Sequence, residues 1–453
     1  MKRLMPLVLA VLAAVPVLPA QDGPSVTLFN SGRTLVRRTL PVQLPSGTST
    51  QPLVLGVFDP ASFAVLEPGV LFTRLTFDGG FDENALLRRN VGQTFTFDLG
   101  DNKRLTARLL GVDPERWLVI DGGTPGVIFG RPGRLVWDAA RVPEAPVADV
   151  TLTSDRARQS VRVMYEAMGG AWQAGYKLFI GANGRFEGTA TIHASTINLE
   201  DAEVQLLAGD IGAKVGYAPA PRARLQEMAA MADQANMAPS ESVGEVRLYT
   251  LPGRVSFVPG TIMSLPLFAP TPVRSELRLT VPGAIGYWGG VDQFPDEQEV
   301  PVQVSHRFER KAGTPFGDLP LPAGGVSVYD TDRAGRVQLV GQGNIGHTAA
   351  GEMLELSTGT AFDVTARRTQ TAFSTSILAN PRRTVATVEY SVVVKNAKDT
   401  AAMVEVREDR GGEWSVVTSS VPPVRRSSSR VVFPITVPAK GEVTVTYRLR
   451  VVW

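Results

Sequence analysis

The sequence predicts an all-β, multi-domain β-sandwich protein with an immunoglobulin-like C-terminal domain and one short helical insertion. Three observations lead there. Short runs rich in Val, Thr, Tyr and Phe recur between turn residues. Gly (44 residues) and Pro (33 residues) are plentiful, and helical periodicity is rare. A chain of 453 residues also exceeds what one hydrophobic core usually organises, so several domains are expected.

The first segment, Met1 to Ala20, reads as a secretory signal peptide. Lys2 and Arg3 form a basic head, Leu4 to Leu18 is an apolar run too short to span a bilayer comfortably, and Leu18-Pro19-Ala20 offers a small-residue cleavage site. Residues 21–145 read as an N-terminal β-rich domain. Ser25 to Phe29 and Thr34 to Arg38 are strands around the turn Asn30-Ser31-Gly32, and Asp82 caps a short helix running to Arg89. Pro143 and Pro146 mark its end, since proline suits neither a helix interior nor a central strand.

Residues 146–362 read as a central β domain. Val161, Val163 and Tyr165, then Trp172, Tyr176, Leu178 and Ile180, follow a partial period of two, and Asn183-Gly184 turns the chain into the strand Phe186 to Ile192. The helical insertion is expected at residues 221–236, with Pro221 at its start and Leu225, Met228, Ala229 and Ala232 on one face. Residues 363–453 show the clearest β pattern. Val388, Tyr390, Val392 and Val394 share one face, turns follow at Asn396 to Asp399, Gly411-Gly412 and Lys440-Gly441, and the strand Val443 to Trp453 alternates again.

Composition excludes several classes of function. Lys and Arg total 46 against 44 Asp and Glu, and the two surplus bases are Lys2 and Arg3, so the remaining chain is formally neutral. A neutral chain lacks the clustered cations that nucleic acid demands. Cysteine is absent, which removes disulfides, thiolate metal sites, thiol catalysis and a lipidated cysteine anchor. The sequence has no Gly-x-Ser-x-Gly elbow, Ser-x-x-Lys, His-Glu-x-x-His or phosphate-binding glycine loop.

Three stretches resemble the mucoidy inhibitor A-like family, exported bacterial proteins that share a domain of unknown function. The first runs from Val163-Met164-Tyr165 through Trp172 and Tyr176 to Glu200-Asp201-Ala202 and Leu206-Leu207-Ala208-Gly209-Asp210. The second runs from Leu321-Pro322-Ala323-Gly324 through Gly341-Gln342-Gly343-Asn344-Ile345-Gly346-His347-Thr348 and Glu352 to Phe362-Asp363-Val364 and Arg367. The third holds Val388-Glu389-Tyr390 to Lys395-Asn396, Val404 to Glu408, Trp414 and the terminal strand. The chain departs from the family pattern at His193-Ala194-Ser195-Thr196, which replaces its usual turn, at Asp201, which replaces Asn, and in lacking the coiled coil of some members. The resemblance implies a multi-sandwich envelope protein and supplies no catalytic residues.

Candidate chemistry is sparse. Of the three histidines, His193 and His306 lie in strand-like text without a partner at metal-ligand spacing, so no metal site is expected. His347 with Glu352 has the ingredients of general acid-base work, yet a turn in which His347 and Thr348 satisfy local backbone groups is the expected role. Asp330-Thr331-Asp332 fits a hairpin tip better than a calcium loop. Trp172, Tyr165 and Tyr176 would stack on sugars if they faced solvent together, but their spacing equally fits core aromatics, and core is expected. Met228, Met231 and Met237 would give the insertion a soft binding face. The expectation is an exported, non-catalytic binding or scaffold protein of the periplasm or cell surface, with no cofactor. Its partner would be an envelope protein or surface polysaccharide, and its membrane contact at most peripheral. Trp172, Tyr176, Gly209, Asp210, His347 and Glu352 are its family-motif interaction positions. The alternatives are an envelope hydrolase using His347, Glu352 and Asp363, and an outer-membrane β-barrel ending at Trp453.

Overall fold

A computed structural model describes residues 23–119, 125–209, 240–243, 246–283, 297–379 and 382–452. The leader at 1–20, the expected helix at 221–236, Asp210 and Trp453 lie outside them. The described chain is all-β, with strands in six sheets and short helices at Glu83–Arg89 and Pro315–Asp318.

Alternation of apolar and polar residues builds the strands. Ser25–Phe29 and Arg33–Leu44 pair as an antiparallel hairpin through the expected turn, and Arg158–Met168 joins the far side of the second. The helix Glu83–Arg89 starts as expected, with the Asp82 carboxylate accepting the Ala85 N–H at 2.7 Å. In the last region Val388, Val392 and Val394 are fully buried, as one-faced burial requires.

The first core is filled from a seven-stranded sheet, a three-stranded sheet (Gly47–Val54, Val147–Ser154, Val70–Phe77) and a five-stranded sheet ordered Thr261–Pro272, Arg185–Ala194, Gly170–Phe179, Gly324–Thr331, Val337–Ile345. Between residues 78 and 146 sits a small separate core: the helix and a five-stranded sheet bury Leu87, Phe95, Phe97, Leu109 and Trp117. A third core lies between a six-stranded sheet and a five-stranded sheet centred on Arg382–Asn396. The six-stranded sheet serves two cores. Its strands Glu276–Val281, Ala402–Asp409 and Arg430–Val437 face the third, while Phe308, Leu354 and Leu356 at its other side join the first.

The expected domain limits need correction. The boundary at 145 and 146 cuts through shared sheets, because Val147–Ser154 lies between Gly47–Val54 and Val70–Phe77, and Arg158–Met168 pairs with Arg33–Leu44 and Phe58–Val65. The boundary at 362 and 363 fails likewise, because Glu276–Val281 pairs in parallel with Ala402–Asp409, and Gln298–Val300 with Val364–Ala379. Prolines and turns report where the chain bends, whereas pairing depends on residues far away.

Among the described residues no sheet closes on itself, so the barrel alternative has no barrel to rest on. In the terminal strand Glu442–Val452, the side chains of Val445, Tyr447, Leu449 and Val451 fill the third core instead of forming an outward apolar band.

Candidate functional site

Three of the family-like positions, Tyr176, His347 and Glu352, hold the backbone of two segments, 309–323 and 346–352. Trp172 and Tyr176 alternate inward on Gly170–Phe179 and are each about 2 % exposed, so they form no sugar-stacking platform. The Trp172 indole N–H donates to the Leu207 carbonyl at 3.2 Å, joining two parts of the family pattern. The Tyr176 hydroxyl donates to the Pro322 carbonyl at 2.7 Å, and the Tyr249 hydroxyl, from Val246–Phe257, to the Pro320 carbonyl at 3.2 Å. Tyr176 also stacks on Phe186, with ring centroids 5.3 Å apart.

Glycines in the same stretches have steric reasons. Gly209 has φ +121°, which L side chains rarely adopt. A Cβ on Gly343 would stand 2.2 Å from the Ser357 carbonyl oxygen, so glycine lets Val337–Ile345 pack against Leu354–Thr360. Asp201 has φ +46°, a left-handed conformation that Asp and Asn enter more readily than most other residues. The substituted turn is held by backbone contacts, with the Ser195 and Thr196 hydroxyls donating to the carbonyls of Gly169 and Met168.

His347 and Glu352 also serve local backbone. His347 Nδ1 accepts the Ala323 N–H at 3.3 Å, and burial holds the imidazole below its ordinary pKa. The Glu352 carboxylate accepts the Ala349 N–H at 3.0 Å. Asp363 is exposed and precedes Val364–Ala379, over the third core, and its carbonyl accepts the Ala397 N–H. The structure therefore does not assemble His347, Glu352 and Asp363 into one catalytic group. His306 is buried on Gln303–Phe308, and among the described residues no three His, Cys, Asp or Glu side chains gather to hold a metal. Asp332 caps a hairpin tip, accepting the N–H groups of Ala334 and Arg336.

Sequence reasoning missed the centre of this cluster. The Arg310 guanidinium is buried and donates to four backbone carbonyls: Phe316 at 3.0 Å, Gly317 at 3.3 Å, Ala349 at 2.9 Å, and Leu319. Burial lowers its pKa, with Tyr176, Glu352 and Tyr249 opposing the shift. One cation thus ties together turns that the tyrosines and His347 hold from outside. The only trace in the sequence is the charged run Arg307-Phe308-Glu309-Arg310-Lys311 entering a Gly/Pro-rich stretch.

The two tyrosines predict alkaline behaviour. Burial pushes both hydroxyls above the ordinary value of 10.0. A folded-state pKa above the unfolded one means their contribution is complete below pH 10 and is lost as pH rises through the folded values. The urea midpoint is expected to fall as pH rises from about 10 to about 11.5, as read by tryptophan fluorescence. Tyrosinate absorbance from Tyr176 and Tyr249 should appear only with unfolding, as the difference between the native chain and a Tyr176→Phe, Tyr249→Phe variant. Their ionisation in the folded state near pH 10 would contradict this account.

A second cluster missed by sequence reasoning lies in the third core. Glu408 is fully buried, 3.3 Å from Arg368 and 3.1 Å from Arg410, and accepts the Tyr447 hydroxyl at 2.5 Å. Arg368 also donates to the Pro282 carbonyl at 2.8 Å.

Beside the Arg310 cluster, where the first and third cores meet, opens a cavity of about 890 Å³. Val273, Phe308, Pro315, Phe316 and Met353 supply apolar wall. Arg274, Arg278, Arg307 and Lys311 face it against two carboxylates, Glu276 and Glu309. Arg278 is engaged by Glu276 and Glu405, and Arg307 contacts the Met353 sulfur. Among the described residues, the side chains of Arg274 and Lys311 have no hydrogen bond or ion pair. The sequence signal was diffuse, because these cations come from two separate segments, 274–278 and 307–311.

No protein-family model matches this chain, and no curated protein is significantly similar to it.

Proposed function

We propose that this chain is an exported envelope protein of the mucoidy inhibitor A-like kind, acting by non-catalytic binding as a scaffold for an envelope component. One observation carries the reading: the family-like side chains are spent on holding backbone, while cations beside them stand unspent around an apolar-walled cavity. Preorganised charge over apolar surface suits recognition. Export rests on the Met1 to Ala20 pattern, and the family on the three sequence stretches.

The test is photocrosslinking in intact cells, with a reactive residue at Arg274 on the cavity or at Thr50 on an exposed strand far from it. We expect adducts with an envelope component from position 274 and none from position 50, and loss of those adducts when residues 1–20 are deleted. Adducts that persist without the leader would refute export. Their absence at position 274 would refute the cavity as the binding site.

A further inference from the structure

The cavity's lining points to the chemistry of what it takes. Among the described residues its walls contain no Asn, Gln, Tyr or Trp, the side chains that usually hydrogen-bond and stack on sugars. A peptide added as an extra strand would need free backbone donors. The nearby edge strand Thr261–Pro272 carries Pro266, Pro270 and Pro272, each lacking an N–H. What the cavity offers is an apolar surface of Val273, Phe308, Pro315, Phe316 and Met353 under a surplus of positive charge.

The surplus is unequally committed. Arg278 already shares carboxylates with Glu276 and Glu405. Arg274 and Lys311 have no carboxylate partner among the described residues, and Arg307 meets only a thioether. A guanidinium presents a planar fork suited to carboxylate or phosphate, and an ammonium adds a point charge. Phe308 and Phe316 anchor the wall beneath, being 2 % and 7 % exposed. Because Arg310 fixes the carbonyl of Phe316, this wall is set before any ligand arrives.

From this charge complementarity we propose that the cavity binds an amphipathic organic anion, its carboxylate or phosphate held by Arg274, Arg307 and Lys311 and its apolar body lying on Val273, Pro315 and Met353. The proposal rests on the binding reading above and names the ligand class for that site. Binding would weaken with salt, because the cations are open to water.

The experiment titrates the purified full chain with decanoate and decyl phosphate by calorimetry, alongside decyl maltoside and inorganic phosphate. At least one anionic probe is expected to bind saturably at one site. Decyl maltoside and inorganic phosphate should each bind at least roughly tenfold more weakly, since each lacks one half of the recognition. The two anionic probes separate a carboxylate source from a phosphate source. Arg274→Glu and Lys311→Glu alter side chains without partners, so folding is expected to be preserved, and each should weaken binding roughly tenfold. Equal binding of decyl maltoside would overturn the charge requirement. Equal binding of inorganic phosphate would overturn the apolar one. Wild-type affinity in both variants would place the site elsewhere, and no binding by either anionic probe would overturn the ligand class. Crosslinks at position 274 that persist despite such a failure would leave the binding reading standing.

Discussion

Replacing Arg310 with alanine is expected to remove about 4 kcal/mol of stability, because the carbonyls of Phe316, Gly317, Leu319 and Ala349 lose a shared buried donor. Gly317 and Ala349 retain backbone donors, from Gly351 and Glu352, while Phe316 and Leu319 depend on the guanidinium more heavily. Arg310→Lys keeps the charge but offers a single point in place of a planar fork, so it should recover only part of the loss. Urea unfolding of the full chain, followed by tryptophan fluorescence, checks the magnitude. Native-state hydrogen exchange should localise the loss to residues 309–323 and 346–352. A variant with unchanged midpoint and protection would show that the turns hold themselves.

Removing the Glu408 carboxylate is expected to cost a similar amount, about 3–5 kcal/mol for Glu408→Leu, because Arg368 and Arg410 both stay buried without this counter-charge. Tyr447 simultaneously loses its acceptor. The double variant Arg368→Met, Glu408→Leu should be less destabilised than Glu408→Leu alone, since it also removes one of the two buried cations that the carboxylate served. Thermal unfolding of the two variants and each single change gives the coupling directly. If the double variant equals the sum of the singles, the attraction between these charges is negligible.

Strands were legible because their signal is local. Val388, Tyr390, Val392 and Val394 alternate in sequence and are buried together in the third core. The same parity marks Glu408, which continues the inward series Ala402, Val404 and Val406, and Arg368, which follows Val364 and Ala366. A charge on an inward position signals a buried ion cluster, and that signal went unread. Partnership between strands was not legible. Beyond the turn Asn30-Ser31-Gly32, which points Ser25–Phe29 to Arg33–Leu44, nothing near that strand specifies Leu199–Ala208 as its other neighbour.

The candidate site divides in the same way. Trp172, Tyr176, Gly209, His347 and Glu352 stood out as a pattern, but a pattern does not distinguish a side chain that grips backbone from one that faces a ligand. Arg310 escaped notice because its role exists only once two separate segments, one holding Phe316, Gly317 and Leu319 and the other Ala349, have come together around it. Arg274, Arg307 and Lys311 escaped because they lie in a loop, a strand and a turn that meet only in the folded chain.

The strand Ser25–Phe29 runs parallel to Leu199–Ala208, and the Thr27 hydroxyl donates to Gln205, 178 residues further along. The strand Ser25–Phe29 therefore has one of its two neighbours missing until Leu199–Ala208 has been synthesised. Its open edge and those of the strands around it remain available to wrong partners throughout that interval. A polypeptide with this wiring gains from being kept unfolded until that partner strand has been made, and fragments ending before residue 199 would lack it and be prone to aggregate.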